Sequence, residues 1–235
     1  MIVFPMCGES RRFRVKGYKT PKFLLNLRNK TIFYHVVNGF RKYINKDLFV
    51  FIINNKNYKK FLLKEFKNLK LKKYKIVILK NKTNGQAETV YRGIKNINSE
   101  QEIYIFNIDT ILKKFVKKKT SAHGYWEVFN GKGNNWSFIK LKNNKAVFTS
   151  EKNRISNLCS NGLYFFRKKK LFTDSFKNLI KLYKKNNKEL YVSLLFNYLI
   201  NQKKIIKIKK ISINNIIFCG APTEYEAAKK LPGFF

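Results

Sequence analysis

The feature that most constrains this chain is an alternation. Through about residue 110, continuous apolar runs alternate with stretches whose apolar residues recur at helical spacing. The runs are "IVFPM", "LFVFII", "KIVIL" and "EIYIFNI"; between them lie "TIFYHVVNGFRKY", "YKKFLLKEFKNL" and "QAETVYRGIKNI". A run that is apolar at every position belongs to a strand buried on both faces. Helices laid on both faces of a parallel sheet bury strands in this way, so the pattern predicts a doubly wound α/β sheet. The second half reads differently. "YWEVF", "WSFIKLK", "KAVFTS" and "GLYFF" are short strands with "GKGNN" and "KNN" turns between them. Helices are expected near 171–185 and 189–201, then strands within "KKIIKIKKISI" and "IIF", and a closing helix in "PTEYEAAKKL". No Gly/Ser/Pro-rich linker interrupts the chain. Residues 1–235 are therefore expected to form a single domain, with a doubly wound half to about residue 112 and a more antiparallel half from about 113.

Composition removes several classes of function. No run reaches the roughly 18 apolar residues of a membrane span. The N-terminus lacks the basic segment of a signal peptide. Three cysteines, Cys7, Cys159 and Cys219, are odd in number and far apart. They read as reduced thiols of a cytoplasmic protein and as small buried hydrophobes, not as a disulfide framework or a zinc site. The net charge of +38 would attract polyanions. Yet only 8 of the 51 cationic residues are arginine, the residue suited to bidentate base and phosphate contacts, and the lysines are spread along the chain. Lysine is abundant together with Asn, Ile, Phe and Tyr, as AT-rich codon usage would produce. No specific nucleic-acid partner is expected.

In open α/β sheets, ligands bind beyond the carboxyl ends of the strands. After the first strand come Gly8, Ser10, Arg11, Arg12, Phe13, Arg14, Gly17, Pro21 and Lys22, a loop able to offer backbone N–H groups and cations to phosphates. After "KIVIL" comes "NKTNGQAETV", where Gly85 permits close backbone approach at a helix start. After "EIYIFNI" comes Asp109; an acid there is costly to bury alone and suits a divalent cation. Taken singly, Gly8 is also a plain turn, Lys22 one solvated lysine among many, and Asp109 a helix cap. Their order at consecutive strand ends fits a nucleoside triphosphate with Mg2+.

The motif "PMCGESRRF…GYKTPKFLL" resembles the signature of the sugar-phosphate nucleotidyltransferases, the nucleoside-diphosphate-sugar pyrophosphorylases. "NGQAETV", "IFNIDT", "EKNRISNLCSNGLYFF", "KELYVSLLFNYLI" and "IFCGAPTEYEAA" continue the likeness in order. It covers nearly the whole chain and is nearest to a subset tied to capsule and surface-polysaccharide synthesis. The resemblance implies an α/β Rossmann-like nucleotidyltransferase fold, GT-A-like, with a mixed central sheet and helices on both faces, the half to about residue 112 binding the nucleotide and the half from about 113 the sugar phosphate. It implies transfer of NMP from an NTP to a sugar phosphate, or a similar phosphorylated small molecule, with release of pyrophosphate. Residue by residue, it assigns Lys22, Arg12 and Asp109 to catalysis, and Asp109 to the metal. Gly8, Glu9, Ser10, Arg11, Gly85, Gln86, Ala87 and Glu88 would hold the nucleotide. Glu88 accepting from an exocyclic amino group would favour cytosine or guanine. Glu151, Lys152, Asn161, Gly162 and Glu189 would hold the sugar phosphate, with Glu189 on a helix. Such a transfer needs aligned anions and charge neutralisation more than proton chemistry, so His35 and His123 are not required, and His35 reads as structural. The oligomeric state is left open, a homo-oligomer included.

The chain also departs from the family pattern. Ser10 stands where a glycine is usual, and Arg11 where Ser or Thr is usual, pointing either at phosphate or at solvent. A second metal aspartate is missing near the closing strand, where Phe218 and Cys219 stand. One carboxylate with the phosphates would suffice, or Glu224 or Glu127 would supply the other. Asn107 would either assist or merely end its strand. The aromatic segment "YWEVFNGKGNNWSFIKL" reads first as core, second as a surface for a ring. The runs "KKFVKKK" and "RKKK" read as solvated faces. Two other functions fit less well: a glycosyltransferase on the same fold, which has no pyrophosphate to hold, and a non-catalytic polyanion-binding module.

Overall fold

Side chains along a strand alternate between its two faces, so each continuous apolar run must feed two cores. The computed structural model, which describes residues 1–98, 100–183 and 189–232, shows both. The elements in order are β1 (Ile2–Pro5), α1 (Arg11–Val15), a hairpin of β2 (Asn26–Leu27) and β3 (Lys30–Thr31), α2 (Ile32–Asn38), β4 (Phe49–Ile53), α3 (Tyr58–Asn68), β5 (Tyr74–Ile78) and α4 (Gln86–Ile94). Then follow β6 (Ile103–Ile105), β7 (Thr110–Leu112), β8 (Gly124–Asn130), β9 (Ser137–Lys142), β10 (Lys145–Glu151) and β11 (Leu158–Phe166). Last come α5 (Lys169–Tyr183), α6 (Leu195–Asn201), β12 (Ile206–Lys210), β13 (Ile216–Phe218) and α7 (Pro222–Lys230). Ile2, Phe4, Phe49 and Phe51 face one core with Phe33 and Val36 of α2 and Phe66 of α3. Val3, Val50 and Ile52 face the other with Val90 of α4, Phe176 of α5 and Phe196 of α6. Phe4 stacks on Phe51 with ring centroids 5.2 Å apart. Burial of each such ring stabilises the fold by roughly 1.5–3 kcal/mol.

The sheet has nine strands, and most of them follow the order β10-β9-β11-β6-β1-β4-β5, with β8 joining β11 to β12. Strands β6, β1, β4 and β5 are parallel, while β11 runs antiparallel to β6 and β8. This is the α/β, mixed-sheet architecture with helices on both faces that the sequence predicts. From β1 the chain builds outward through β4 and β5, then returns to place β6 on the opposite side of β1. The loops after β1 and β6 therefore diverge from one switch point, which in such sheets opens a crevice.

Several local readings change. The segment after β1, read as an irregular loop, contains α1 and a 3-10 turn at Lys22–Leu24. The helix expected at 189–201 begins only at Leu195, because the backbone ahead of it is tied to another loop: Leu190 N–H donates to Asn84 O at 2.7 Å, and Ala87 N–H to Leu190 O at 2.8 Å. The helix expected at 171–185 is seen to Tyr183; residues 184 and 185 lie outside the described residues. The basic runs are only partly solvated. Lys117 pairs with Asp47 at 2.7 Å and lies over the rings of Tyr43 and Tyr104, and Arg167 donates to Ala122 O at 2.8 Å. No helix among the described residues is long and apolar enough to cross a membrane.

Candidate active site

A cleft of about 750 Å³ opens at the switch point. Its wall takes residues from the loops after β1, β5 and β6, from β10 and β11, and from the segments around Glu189 and Gly220. Of the residues singled out in the sequence, Gly8, Glu9, Ser10, Arg11, Arg12, Lys22, Gly85, Gln86, Asp109, Glu151, Lys152, Asn161, Gly162 and Glu189 all stand on this wall. Ala87 and Glu88 do not. Ala87 is fully buried. Glu88 accepts from the Asn84 N–H at 2.5 Å and pairs with Arg92 at 2.5 Å. It serves its own helix start, and the Glu88–Arg92 spacing of i,i+4 is a signal for that role in the sequence.

At the centre, Lys22 Nζ donates to Asp109 Oδ2 at 2.5 Å. The loop that carries Lys22 is held by Ser10. Ser10 adopts the left-handed conformation at φ 51 and caps α1, which is why a glycine suits this place. Its hydroxyl accepts the Lys22 N–H at 3.2 Å, so the side chain is turned to the loop. Left-handed backbone costs a non-glycine roughly 1–2 kcal/mol, and a hydrogen bond returns about 1. Ser10→Gly should therefore leave the melting temperature nearly unchanged, while Ser10→Ala, which keeps the strain and loses the bond, should lower it. Equal losses in both variants would refute this account. Arg11 and Arg12 are both exposed on the cleft wall. Glu9 pairs with Lys82 at 2.8 Å, joining the loops after β1 and β5.

Asp109 directly precedes β7, whose antiparallel partner β13 brings Cys219 N–H to Asp109 O at 2.8 Å. A Cβ on Gly220 would stand 3.1 Å from Asp109 Oδ2 and 3.4 Å from Glu224 Oε2, so two carboxylates face one backbone position. Glu224 uses Oε2 to accept from the Gly220 and Ala221 N–H groups at 2.8 and 2.9 Å. Glu127, the other acid considered, is not on the wall; it is buried against Lys209 and Asn161. Asn107 does more than end a strand: it lines the cleft and accepts from Gln86 Nε2 at 2.5 Å.

At the far end, Glu151 accepts from the hydroxyls of Ser137 and, at 3.0 Å, Ser193. Burial raises its pKa, against those two hydroxyl donors. Lys152 Nζ donates to Tyr191 OH at 2.6 Å, and Tyr191 donates to Glu189. Tyr191 was not legible as a site residue, because Glu189–Tyr191 reads as a helix; in the non-helical segment found here, its hydroxyl turns back to Glu189 and also receives Lys152. Ser137, Tyr164 and Thr89 also line the cleft without having been singled out. The two tryptophans separate. Trp126 is fully buried, whereas Trp136 forms the cleft wall with Phe218, ring centroids 4.7 Å apart. Cys7 lines the cleft too, but burial pushes its thiol up to about 11, which makes it a poor nucleophile at neutral pH. His35 Nε2 donates to Leu27 O at 2.7 Å, within the fold.

A nucleoside-diphosphate-sugar pyrophosphorylase from Vibrio cholerae RC9 superposes with a TM-score of 0.93 at 37% identity, covering 98% of this chain and 100% of that one. The chain belongs to the nucleoside-diphosphate-sugar pyrophosphorylase family. It is therefore an enzyme of the sugar-nucleotidyltransferase class. Two further structures share the fold. An inositol-1-phosphate CTP transferase from T. maritima matches at 15% identity and TM-score 0.74, over 97% of this chain and 94% of that one. A putative glucose-1-phosphate thymidylyltransferase from Bacillus anthracis matches at 14% and 0.75, over 97% and 92%. No protein-family model matches the chain, and no curated protein does.

Proposed function

We propose that this pyrophosphorylase joins an NTP to a phosphorylated sugar, or a similar small phosphate, in the cytoplasm and for surface polysaccharide. The observation that carries this reading is one continuous cleft shared by the phosphate loop, the Lys22–Asp109 pair and the Glu151–Lys152–Glu189 end. Its volume lies toward the upper part of the range for ligand sites, roughly 300–1,000 Å³, as two substrates require. The nucleotide would occupy the wall built by the loops after β1 and β5, and the acceptor the wall built by β10, β11 and the Glu189 segment.

The reaction forms one bond and breaks one. An acceptor phosphate oxygen attacks the α-phosphorus, and the bond from that phosphorus to the bridging oxygen breaks as pyrophosphate leaves. The nucleophile is already an anion, so the protein must align two anions and offset spreading charge. Backbone at Gly8 and the Arg12 side chain would hold the β- and γ-phosphates. Lys22 would move its ammonium to the α-phosphate, kept within reach by the Ser10 bond to its backbone. Glu151 would accept from acceptor hydroxyls, and Lys152 would hold the acceptor phosphate. The donor set at Gly220 supports a Mg2+ site: two carboxylates on the cleft wall, each hydrogen-bonded through one oxygen, near the loop that would hold the phosphates. Asp109 and Glu224 would hold the ion, which would lower the charge on the departing pyrophosphate.

Purified protein with Mg2+, each NTP and a panel of sugar and polyol phosphates should release pyrophosphate with at least one pair. Asp109→Ala should slow that release by about a hundredfold or more. Silence across the whole panel would overturn the reading. A glycosyltransferase would instead consume an NDP-sugar and release no pyrophosphate.

A further inference from the structure

We propose that Glu127 is a positioning residue for the acceptor end of the cleft, acting through Asn161 on a bulge of β11. Strand β11 pairs with β8 at Leu158–Ser160 and again at Tyr164–Phe166. Between them, Asn161, Gly162 and Leu163 oppose the single residue Glu127. Extra residues of this kind break the ladder and leave backbone groups to be satisfied another way. Here the strand satisfies two of them itself: Asn161 Oδ1 accepts the Leu163 N–H and Ser160 Oγ the Gly162 N–H, both at 3.0 Å. The Asn161 amide group then has its NH2 to place, and Nδ2 donates to Glu127 Oε2 at 3.0 Å.

Glu127 is 1% exposed. Its other oxygen takes Lys209 Nζ at 2.6 Å, from the residue opposite it on β12. A buried ion pair is a poor source of stability, and apolar residues of similar size often serve as well. What an apolar residue cannot provide is an acceptor for Asn161. The bulge itself faces the cleft: Ser160, Asn161, Gly162 and Tyr164 are on its wall. Gly162 has φ +91, and a Cβ there would collide with Asn107 Nδ2. Asn107 in turn accepts from Gln86. The placement of the bulge is thus set from behind by Glu127 and felt in front by the acceptor wall. The function assigned to that wall rests on the reading given under Proposed function.

Two double variants separate positioning from stability. E127L/K209M replaces the ion pair by apolar groups and removes the acceptor. E127Q/K209M also removes both charges but keeps an amide oxygen for Asn161. E127Q/K209M should hold the acceptor KM near the wild-type value. E127L/K209M should raise it by about tenfold, with smaller changes in kcat and NTP KM. Hydrogen exchange across residues 158–166 should be faster in E127L/K209M than in E127Q/K209M. A wild-type acceptor KM in E127L/K209M, or equal impairment of both, would overturn the proposal. If wild-type protein turns over no substrate pair, the catalytic reading fails, and the exchange comparison alone still decides the role of Glu127. Should E127L/K209M not fold, E127Q alone carries the test: a rise of about tenfold in acceptor KM despite the retained amide oxygen would refute the role.

Discussion

Replacing Lys22 with alanine should lower kcat for pyrophosphate release by about a hundred- to a thousandfold, with a far smaller change in the NTP KM. The lysine sits on the cleft wall, and its ammonium lies 2.5 Å from Asp109. Charge spreads over the transferring group most in the transition state, so a cation placed there acts mainly on kcat. Single-turnover release of pyrophosphate from a saturated complex measures that step directly. Arginine at position 22 should not restore it, because a planar fork does not replace a compact ammonium beside one carboxylate oxygen. A Lys22→Ala enzyme with near-normal single-turnover rate would remove Lys22 from the mechanism.

Gly85→Ala should do the most damage to the fold of the site. Gly85 has φ +119, and a Cβ there would lie 2.6 Å from Leu190 N and 2.7 Å from Leu190 O. Both contacts are with backbone, so no side chain can swing away. The two bonds that tie Leu190 to Asn84 and Ala87 would open, and a residue in that backbone region carries a further cost of roughly 1–3 kcal/mol. A total of about 3–5 kcal/mol, with each bond near 1, corresponds to a melting temperature lower by about 10 °C for a chain of this size. KM should rise for both substrates, because the tie joins the Gly85–Gln86 loop to the Glu189 segment. Calorimetry together with separate NTP and acceptor titrations would check it. A loss confined to one substrate would show that the tie does not couple the two ends.

Strands β1, β4 and β6 were legible because burial on both faces writes a continuous apolar run, and the places of Lys22 and Asp109 on the cleft wall because open α/β sheets bind ligands beyond their strand ends. What stayed hidden depends on partners far away in sequence. Glu189 reads as helical until Asn84 and Ala87 take up the neighbouring backbone. Trp126 and Trp136 lie ten positions apart in one aromatic segment, and only the sheet decides that one is core and the other cleft wall. Ser10 looks like a defect in a glycine loop; its hydroxyl bond to Lys22 shows it to be a tie. Glu88 beside Gly85 reads as a base contact; the partners the fold gives it are the Asn84 N–H and Arg92, the second of them signalled by its i,i+4 spacing.

The closing β13–α7 unit has a consequence in time. Its Cys219 backbone meets Asp109, Tyr225 OH donates to Asn26 O at 2.6 Å, and Tyr18 OH donates to Glu226 at 2.7 Å. It therefore braces both the backbone of Asp109 and the segment flanking Lys22. A nascent chain leaving the ribosome has made β1 to α4 well before residues 216–230 exist. Local elements can form early, but contacts across about 200 positions come late. Catalytic competence is then expected to arrive in one late step, and an unfinished chain would have no working centre with which to spend a nucleotide.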